Sequence, residues 1–175
     1  MVTHGYVVFK YEGIYYIFNN HSDSYCSCLG NEVVNEIYYM INKNYIKDYK
    51  KKLLRVPLVN EMTEGGGGIS HFYSFYQSIY NPDSCSYYTS NYEPGNEYVY
   101  IIDFDEEEFI INKYDNRYTF NLFDIPDNWM NIVENNEEYM YENSEEIKEK
   151  RNNENIKERI IELEKELNEL KLKLQ

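Results

Sequence analysis

The sequence predicts an α+β fold: an antiparallel sheet with covering helices, followed by a C-terminal coiled-coil helix. Two blocks, 5–18 and 97–122, are rich in β-branched and aromatic residues, as strands are. Apolar residues recur at helical spacing between them, and the last part of the chain shows heptad spacing. We therefore expect three regions: a globular α+β domain over 1–133, an acidic and polar linker over 134–155, and a coiled coil over 156–175.

The strand-rich blocks predict one antiparallel sheet. Residues 5–11 and 14–18 flank Glu12-Gly13, and this glycine suits the positive φ of a tight primed turn. In the second block, YVYIIDF and EFIIN form strands around an acidic turn, and RYTFNL forms a third strand after the turn Asp115-Asn116. The stretch from 81 to 95, with its Asn, Pro and Ser residues, is expected to be irregular.

Helices are expected on one face of this sheet. The segment 31–54 begins with the capping pair Gly30-Asn31 and continues through KNYIKDYKKKLLR, which is the basic patch of the chain. Its apolar stripe contains Val34, Ile37, Tyr38 and Ile41. A second helix is predicted over 71–80, and a short closing helix over 125–133 with Pro126 in its first turn.

Composition and charge bear on origin and partners. The chain has no alanine and four arginines, while six residue types with A/T-rich codons supply about half of it. This bias is typical of an AT-rich genome, such as that of a large DNA virus of protists, an amoeba or a malaria-type parasite. Residues 93–149 hold 17 Asp/Glu against three Lys/Arg. Such a surface repels phosphates, so we expect no nucleic-acid partner.

The cysteines and the N-terminus predict an intracellular protein that is not secreted. Three cysteines are an odd number, and Met1 is followed by neither a basic nor an apolar stretch. No apolar run reaches the roughly 18–20 residues of a membrane span. We expect reduced thiols, no membrane partner, and a location in the host cytoplasm or the virion.

The stretch HSDSYCSC at 21–28 contains four residues of types that serve in catalytic and metal sites: His21, Asp23, Cys26 and Cys28. Zinc sites use paired ligands with a second pair further along, whereas C-x-C is followed by single, distant His71 and Cys85. We therefore predict no metal and no cofactor. The favoured interpretation is a turn out of a strand, in which the Asp23 carboxylate caps nearby backbone N–H groups.

The alternative for the same stretch is the site of a small intracellular hydrolase. An imidazole of His21 oriented by Asp23 would act as general base, and Tyr25 would donate to a developing oxyanion. Such a site requires His21 and Asp23 to converge on a concave pocket. A second cluster, Asp103, Asp105 and 106–108, lacks the spacing and the glycine of an EF-hand loop, so an acidic β-turn is favoured over a cation site.

The tail predicts self-association. Ile160, Leu167 and Leu174 occupy a positions and Ile156, Leu163 and Leu170 occupy d positions of a heptad. We expect a homodimer or a homotrimer through this coiled coil, with the dimer favoured. The alternative is an amphipathic helix that lies on the protein's own core.

A resemblance supports the fold and an origin. HGYVVFKYEGIYYIFNNHSDSYCSCLG is similar to the start of uncharacterised proteins of large amoeba-infecting DNA viruses and fungi, which carry N-H-x-D-S-Y-P-x-G-L-G after a hydrophobic hairpin. EYVYIIDFDEEEFIIN and FNLFDIPDNW resemble their E-Y-x-Y-x-I-D-L-D-x-x-x-F and L-x-x-I-P blocks. Cys26 and Cys28 stand where that pattern has proline and glycine, which argues against the thiols as shared catalytic groups.

The resemblance implies a viral origin and a fold, but no activity. Together with the tail, it predicts a non-enzymatic, self-associating assembly or interaction protein of a giant virus, with the hydrolase as the alternative.

Overall fold

The computed structural model describes residues 3–63 and 86–135, which build a six-stranded mixed sheet with helices and so confirm the α+β class. The elements are β1 (Gly5–Tyr11), β2 (Ile14–Asn20), a π-helical turn (Cys26–Gly30), α1 (Asn31–Asn42), α2 (Ile46–Leu53), β3 (Tyr87–Ser90), β4 (Tyr98–Asp103), β5 (Glu108–Lys113), β6 (Asn116–Asn121) and α3 (Trp129–Glu134). The predicted helix 71–80 and coiled coil 156–175, and nearly all of the predicted linker, lie outside the described residues.

The predicted hairpin is present, with its turn at the predicted pair. Tyr11 pairs with Ile14, and both Glu12 (φ 53°) and Gly13 (φ 73°) have positive φ, as a type I′ turn requires. The acidic turn between β4 and β5 is also present over 104–107. Between β5 and β6 the two-residue joint is Tyr114-Asp115, one residue before the predicted pair, because Lys113 pairs with Asn116.

The prediction of a wholly antiparallel sheet is wrong at its centre. The strand order is β3-β2-β1-β4-β5-β6, and β1 runs parallel to β4 while the other neighbours are antiparallel. The physical reason lies in the stretch expected to be irregular, since its residues Tyr87–Ser90 form β3 on the outer side of β2. After β3 the chain must cross β2 and β1 before it enters the sheet again.

The connection 91–97 makes that crossing along one face of the sheet. Ser90, the last residue of β3, pairs with Tyr15 of β2, which is level with the C-terminal end of β1. Tyr98, the first residue of β4, pairs with Gly5 at the N-terminal end of β1. Within this connection Glu93 bonds to Asn112, which lies on the same side of β5 as the buried Ile110. We call this side the crossover face, and its buried residues are Val8, Ile17, Val99, Ile101 and Ile110.

The described helices pack on the opposite side, which we call the helix face. Its strand residues include Val7, Phe9, Phe18, Tyr100 and Phe109, and they form one buried cluster with residues of the helices. Val34 and Ile37 of α1 are buried there, and Tyr38 and Ile41 pack against the cluster partly buried, so the predicted stripe is confirmed. No helix among the described residues is long and apolar enough to cross a membrane.

The predicted continuous helix over 31–54 is wrong, because the chain turns at Asn44. Asn44 has φ 55°, a left-handed conformation that asparagine tolerates better than most residues. Tyr45 N–H donates to the Met40 carbonyl and Asn44 N–H to the Ile41 carbonyl, and the rings of Tyr39 and Tyr45 lie 5.8 Å apart. This is a complete Schellman motif, so α1 ends here and α2 starts in a new direction.

The start of α1 and the start of the closing helix also differ from expectation. Gly30 has ordinary helical dihedral angles, and the π-helical turn leads directly into α1 without a side-chain cap. The closing helix α3 begins at Trp129 rather than at 125, and Trp129 N–H donates to the carbonyl of Pro126. Pro126 therefore belongs to the turn before the helix.

Candidate functional site

The exit from β2 is organised by Asn20, the last residue of that strand. Asn20 is 1 % exposed, and its amide nitrogen donates to the Ser22 carbonyl and to Ser24 Oγ at 2.8 Å. Ser24 N–H in turn donates to the Thr3 carbonyl. Asp23, between them, has φ 54° and is exposed. The Asn20 amide thus donates two hydrogen bonds to this turn, whereas the Asp23 carboxylate, which was expected to accept from nearby backbone N–H groups, is exposed.

Two glycines let the turn approach the sheet and α3. A Cβ on Gly5 would lie 2.7 Å from Ser24 Cβ and from the Tyr98 carbonyl oxygen. A Cβ on Gly30 would lie 2.9 Å from Tyr100 Cε1 and 3.1 Å from Trp129 Cη2. Gly30 is thus required by close packing and not by capping.

Tyr100 and Cys26 complete a buried polar cluster under this turn. The Tyr100 hydroxyl donates to the Ser24 carbonyl at 2.8 Å and lies 3.7 Å from Cys26 Sγ, and both side chains are fully buried. Burial raises the pKa of the Cys26 thiol and holds the pKa of Tyr100 far above its ordinary value. A thiol whose pKa is raised by burial is a poorer nucleophile and a poorer metal ligand than a free one.

The three residues of the hydrolase hypothesis have separate surroundings. His21 is exposed, its Nδ1 lies 3.2 Å from Asn19 Nδ2, and its ring meets that of His4 edge-on. Tyr25 is half-buried and packs edge-on against the Tyr98 ring. Over 3–63 and 86–135, no hydrogen bond joins His21, Asp23 and Tyr25 to one another.

The acidic turn uses its carboxylates to join two hairpins. Asp103, 3 % exposed, bonds to Lys10 Nζ at 2.8 Å and accepts from the N–H groups of Asp105 and Glu106. Asp105 accepts from the N–H groups of Glu12 and Gly13 in the β1–β2 turn. Partial burial alone would lower the pKa of Lys10, but Asp103 raises it above its ordinary value.

These contacts join the acidic turn to β1 and to the β1–β2 turn. In the part of the chain that the structure describes, no group of three or more His, Cys, Asp or Glu side chains is arranged to hold a metal ion. Cys28 is exposed and Cys26 is buried, and Cys85 lies outside the described residues.

A polar cavity of about 320 Å³ lies between the crossover connection and the β5–β6 turn. Its lining residues are Glu93, Pro94, Gly95, Asn96, Asn112, Tyr114, Asp115, Asn116 and Arg117. Glu93 Oε1 accepts from Arg117 Nη1 and from Asn112 Nδ2, both at 2.6 Å. None of His21, Asp23 and Tyr25 lines this cavity.

Sequence reasoning missed this cavity because it depends on a long-range crossing. Glu93 comes within reach of Arg117 only when the chain crosses the sheet after β3, and β3 was not expected. Tyr114 in the turn is the one local signal, since an aromatic residue in a two-residue hairpin joint is unusual.

No protein-family model, curated protein or solved structure matches this chain.

Proposed function

We propose that this chain is a non-enzymatic, self-associating assembly or interaction protein of a giant virus, which oligomerises through its tail and presents a globular head. One observation carries the proposal, the spacing of 4, 3, 4, 3 and 4 between the apolar residues of the tail, Ile156, Ile160, Leu163, Leu167, Leu170 and Leu174. Such a seam is buried when identical helices pair.

Charges beside the seam favour a parallel arrangement. In a parallel pair Arg159 at a g position faces Glu164 at e of the other chain, and Glu166 faces Lys171. Both contacts are attractive. Ile at a and d in the first heptad favours three strands, whereas Leu in the next two is permissive. We place the dimer first and the trimer close behind it.

The chemistry of the hairpin exit supports a head that does not catalyse. Asn20 and Ser24 hold a turn, Tyr100 and Cys26 stay protonated in the core, and His21 lies exposed beside Asn19 and His4. None of these arrangements prepares a nucleophile or a general base.

The viral origin rests on the composition and on the resemblance of two blocks, 4–30 and 97–129. Asn20, Ser24 and Gly30 match the pattern of those viral and fungal proteins, and all three build or contact the buried cluster under the turn. A shared fold therefore explains why these residues recur. A host cytoplasm or a virion, with reduced thiols, suits the free Cys26 and Cys28.

Multi-angle light scattering of the full chain tests the proposal. At concentrations on the order of tens of micromolar, we expect a mass of two or three times 21.2 kDa for the wild type. Leu163→Asp with Leu167→Asp should give a monomer, because charges in the seam cost several kcal/mol. Leu172→Asp, the same change at an f position, should keep the wild-type mass. A monomeric wild type would refute the proposal.

A further inference from the structure

The exposed side of α2 carries three cations without a carboxylate partner among the residues that the structure describes. Lys47, Lys51 and Arg55 are exposed, and neither salt bridge of that part of the chain includes any of them. Asp48, the acidic residue of the helix, does not pair with them either. Arg55 N–H donates to the Lys52 carbonyl, so the helical path continues to Arg55. Spaced four residues apart, the three cations therefore lie on one face.

The position of Lys47 is not explained by the stability of the helix. Lys47 is the second residue of α2, where the helix dipole disfavours a cation, and a like charge follows four residues later at Lys51. Lys50 differs, because its Nζ donates to the Phe104 carbonyl at 3.2 Å and lies over the Tyr11 ring. Within the described residues Lys47 and Lys51 make no such contact, so their charges are available to a partner.

Exposed apolar side chains accompany these cations. Leu54, three residues after Lys51 and at the end of α2, is 53 % exposed, and Leu58 is 63 % exposed. Of the seven large apolar or aromatic side chains that are exposed among the described residues, five lie between 39 and 62. Apolar side chains grouped in this way mark binding surfaces, and the cations beside them favour an anionic partner. We call Lys47, Lys51, Leu54, Arg55 and Leu58 the α2 surface.

The acidic turn beside α2 limits the shape of that partner. Lys50 contacts the carbonyl of Phe104, and four consecutive acidic residues follow Phe104 at 105–108. A membrane or a nucleic-acid duplex that covers α2 is wide enough to face these carboxylates as well, and is repelled by them. A helical segment of a protein is about 10 Å wide and can lie along α2 alone. Salt screens the remaining negative charge of the chain beyond about 8 Å.

We propose that the α2 surface binds an acidic segment of a partner protein. Its carboxylates pair with Lys47, Lys51 and Arg55, and its apolar side chains pack on Leu54 and Leu58. The proposal goes beyond self-association through the tail and does not depend on it, because all of these residues lie in α2 or shortly after it.

Fluorescence anisotropy with the full chain tests this proposal. The probe is a fluorescein-labelled peptide of glutamate, leucine and serine, and its control is the same peptide with glutamine in place of every glutamate. We expect the glutamate peptide to bind, the glutamine peptide to bind about tenfold more weakly or less, and added salt to weaken the binding of the glutamate peptide. No binding of the glutamate peptide, or equal binding of both peptides, would overturn the proposal.

Two matched double variants locate the binding. Lys47→Glu with Lys51→Glu reverses charges on the α2 surface and should keep the fold, because both side chains are exposed. We expect this variant to bind the glutamate peptide about tenfold more weakly or less. Lys148→Glu with Lys150→Glu makes the same change of charge in the predicted linker and should bind as the wild type does. Circular dichroism verifies that both are folded. Unchanged binding by the folded α2 variant, or equal loss in both, would contradict the assignment.

Phosphatidylserine vesicles and a DNA duplex test the other classes of anionic partner. We expect both to bind the wild-type chain more weakly than the glutamate peptide does, because the carboxylates at 105–108 repel a wide anionic surface. Tighter binding to either of them would overturn the assignment of the α2 surface to a protein partner.

Discussion

At the level of single residues, the exit from β2 depends on close contacts that exclude larger side chains. The π-helical turn lies against Tyr100 and Trp129 because residue 30 has no Cβ. The Tyr100 hydroxyl then reaches the Ser24 carbonyl and fixes the turn over the core. Of the stretch HSDSYCSC, Ser24 and Cys26 are buried in this turn, whereas His21, Asp23 and Cys28 are exposed.

The first prediction concerns Gly30. Gly30→Ala should lower the free energy of unfolding by about 1–3 kcal/mol, because the added methyl group meets ring atoms at 2.9 Å and 3.1 Å and the core must shift. Gly95→Ala is the control, since a Cβ there meets nothing within 4 Å. Urea unfolding measures both. A Gly30→Ala variant as stable as Gly95→Ala would show that the contact is not tight.

The second prediction concerns alkaline pH. The pKa values of Cys26 and Tyr100 are raised by burial above their ordinary values of 9.0 and 10.0, and that of Tyr98 is raised to about 12. Above these ordinary values the unfolded chain releases protons that the native state keeps. The stabilisation that these buried groups contribute is therefore complete below about pH 8.5. At higher pH the free energy of unfolding should fall by about 1.4 kcal/mol per pH unit for each such group.

Urea midpoints between pH 8 and pH 11 measure this loss. Tyr100→Phe should be less stable at neutral pH, because the Ser24 carbonyl loses its donor, yet should show a shallower decline above pH 10. An equal decline in the wild type and in Tyr100→Phe would mean that this hydroxyl ionises freely in the native state.

At the level of elements, local patterns predicted most strands, whereas their arrangement depended on long-range contacts. Alternating and aromatic residues identified β1, β2, β4, β5 and β6, and Glu12-Gly13 identified the first turn. β3 was missed because four residues in a stretch with Asn, Pro and Ser give too weak a signal. All six residues of β4 are buried, as in a strand covered on both faces, and that run was the available sign of a central position.

The helix break at Asn44 shows that apolar spacing alone does not predict where a helix ends. The apolar spacing continues from α1 into α2, so periodicity alone predicts one helix, whereas the left-handed conformation of one asparagine decides otherwise. Local patterns did not predict the polar cavity either, because Glu93, Asn112 and Arg117 meet only when the chain crosses the sheet after β3. Residue type identified the polar turn at 20–24, but not which side chain holds it.

The third prediction tests the break. Asn44→Ala should destabilise the protein by about 1 kcal/mol, because alanine is strained at positive φ, while Asn44→Gly should be neutral or stabilising. Asn42→Ala, an exposed change inside α1, is the control and should cost nothing. Thermal or urea unfolding distinguishes them. If Asn44→Ala matched Asn42→Ala, the Schellman motif would not be what ends α1.

At the level of the whole molecule, we propose that the tail assembles the chain, and the spacing of the apolar residues from Ile156 to Leu174 is the observation behind that proposal.

Disulfide cross-linking of the tail tests self-association most directly. In a background with Cys28→Ser and Cys85→Ser, Ile160→Cys at an a position should form a disulfide-linked dimer under mild oxidation. In a parallel pair the two a residues lie within disulfide reach, whereas an antiparallel pair separates them. Ile161→Cys, the same change at the outward-facing b position, should remain monomeric on a non-reducing gel. We expect the link at 160 and not at 161. No link at 160, or equal links at both positions, would rule out a parallel coiled coil.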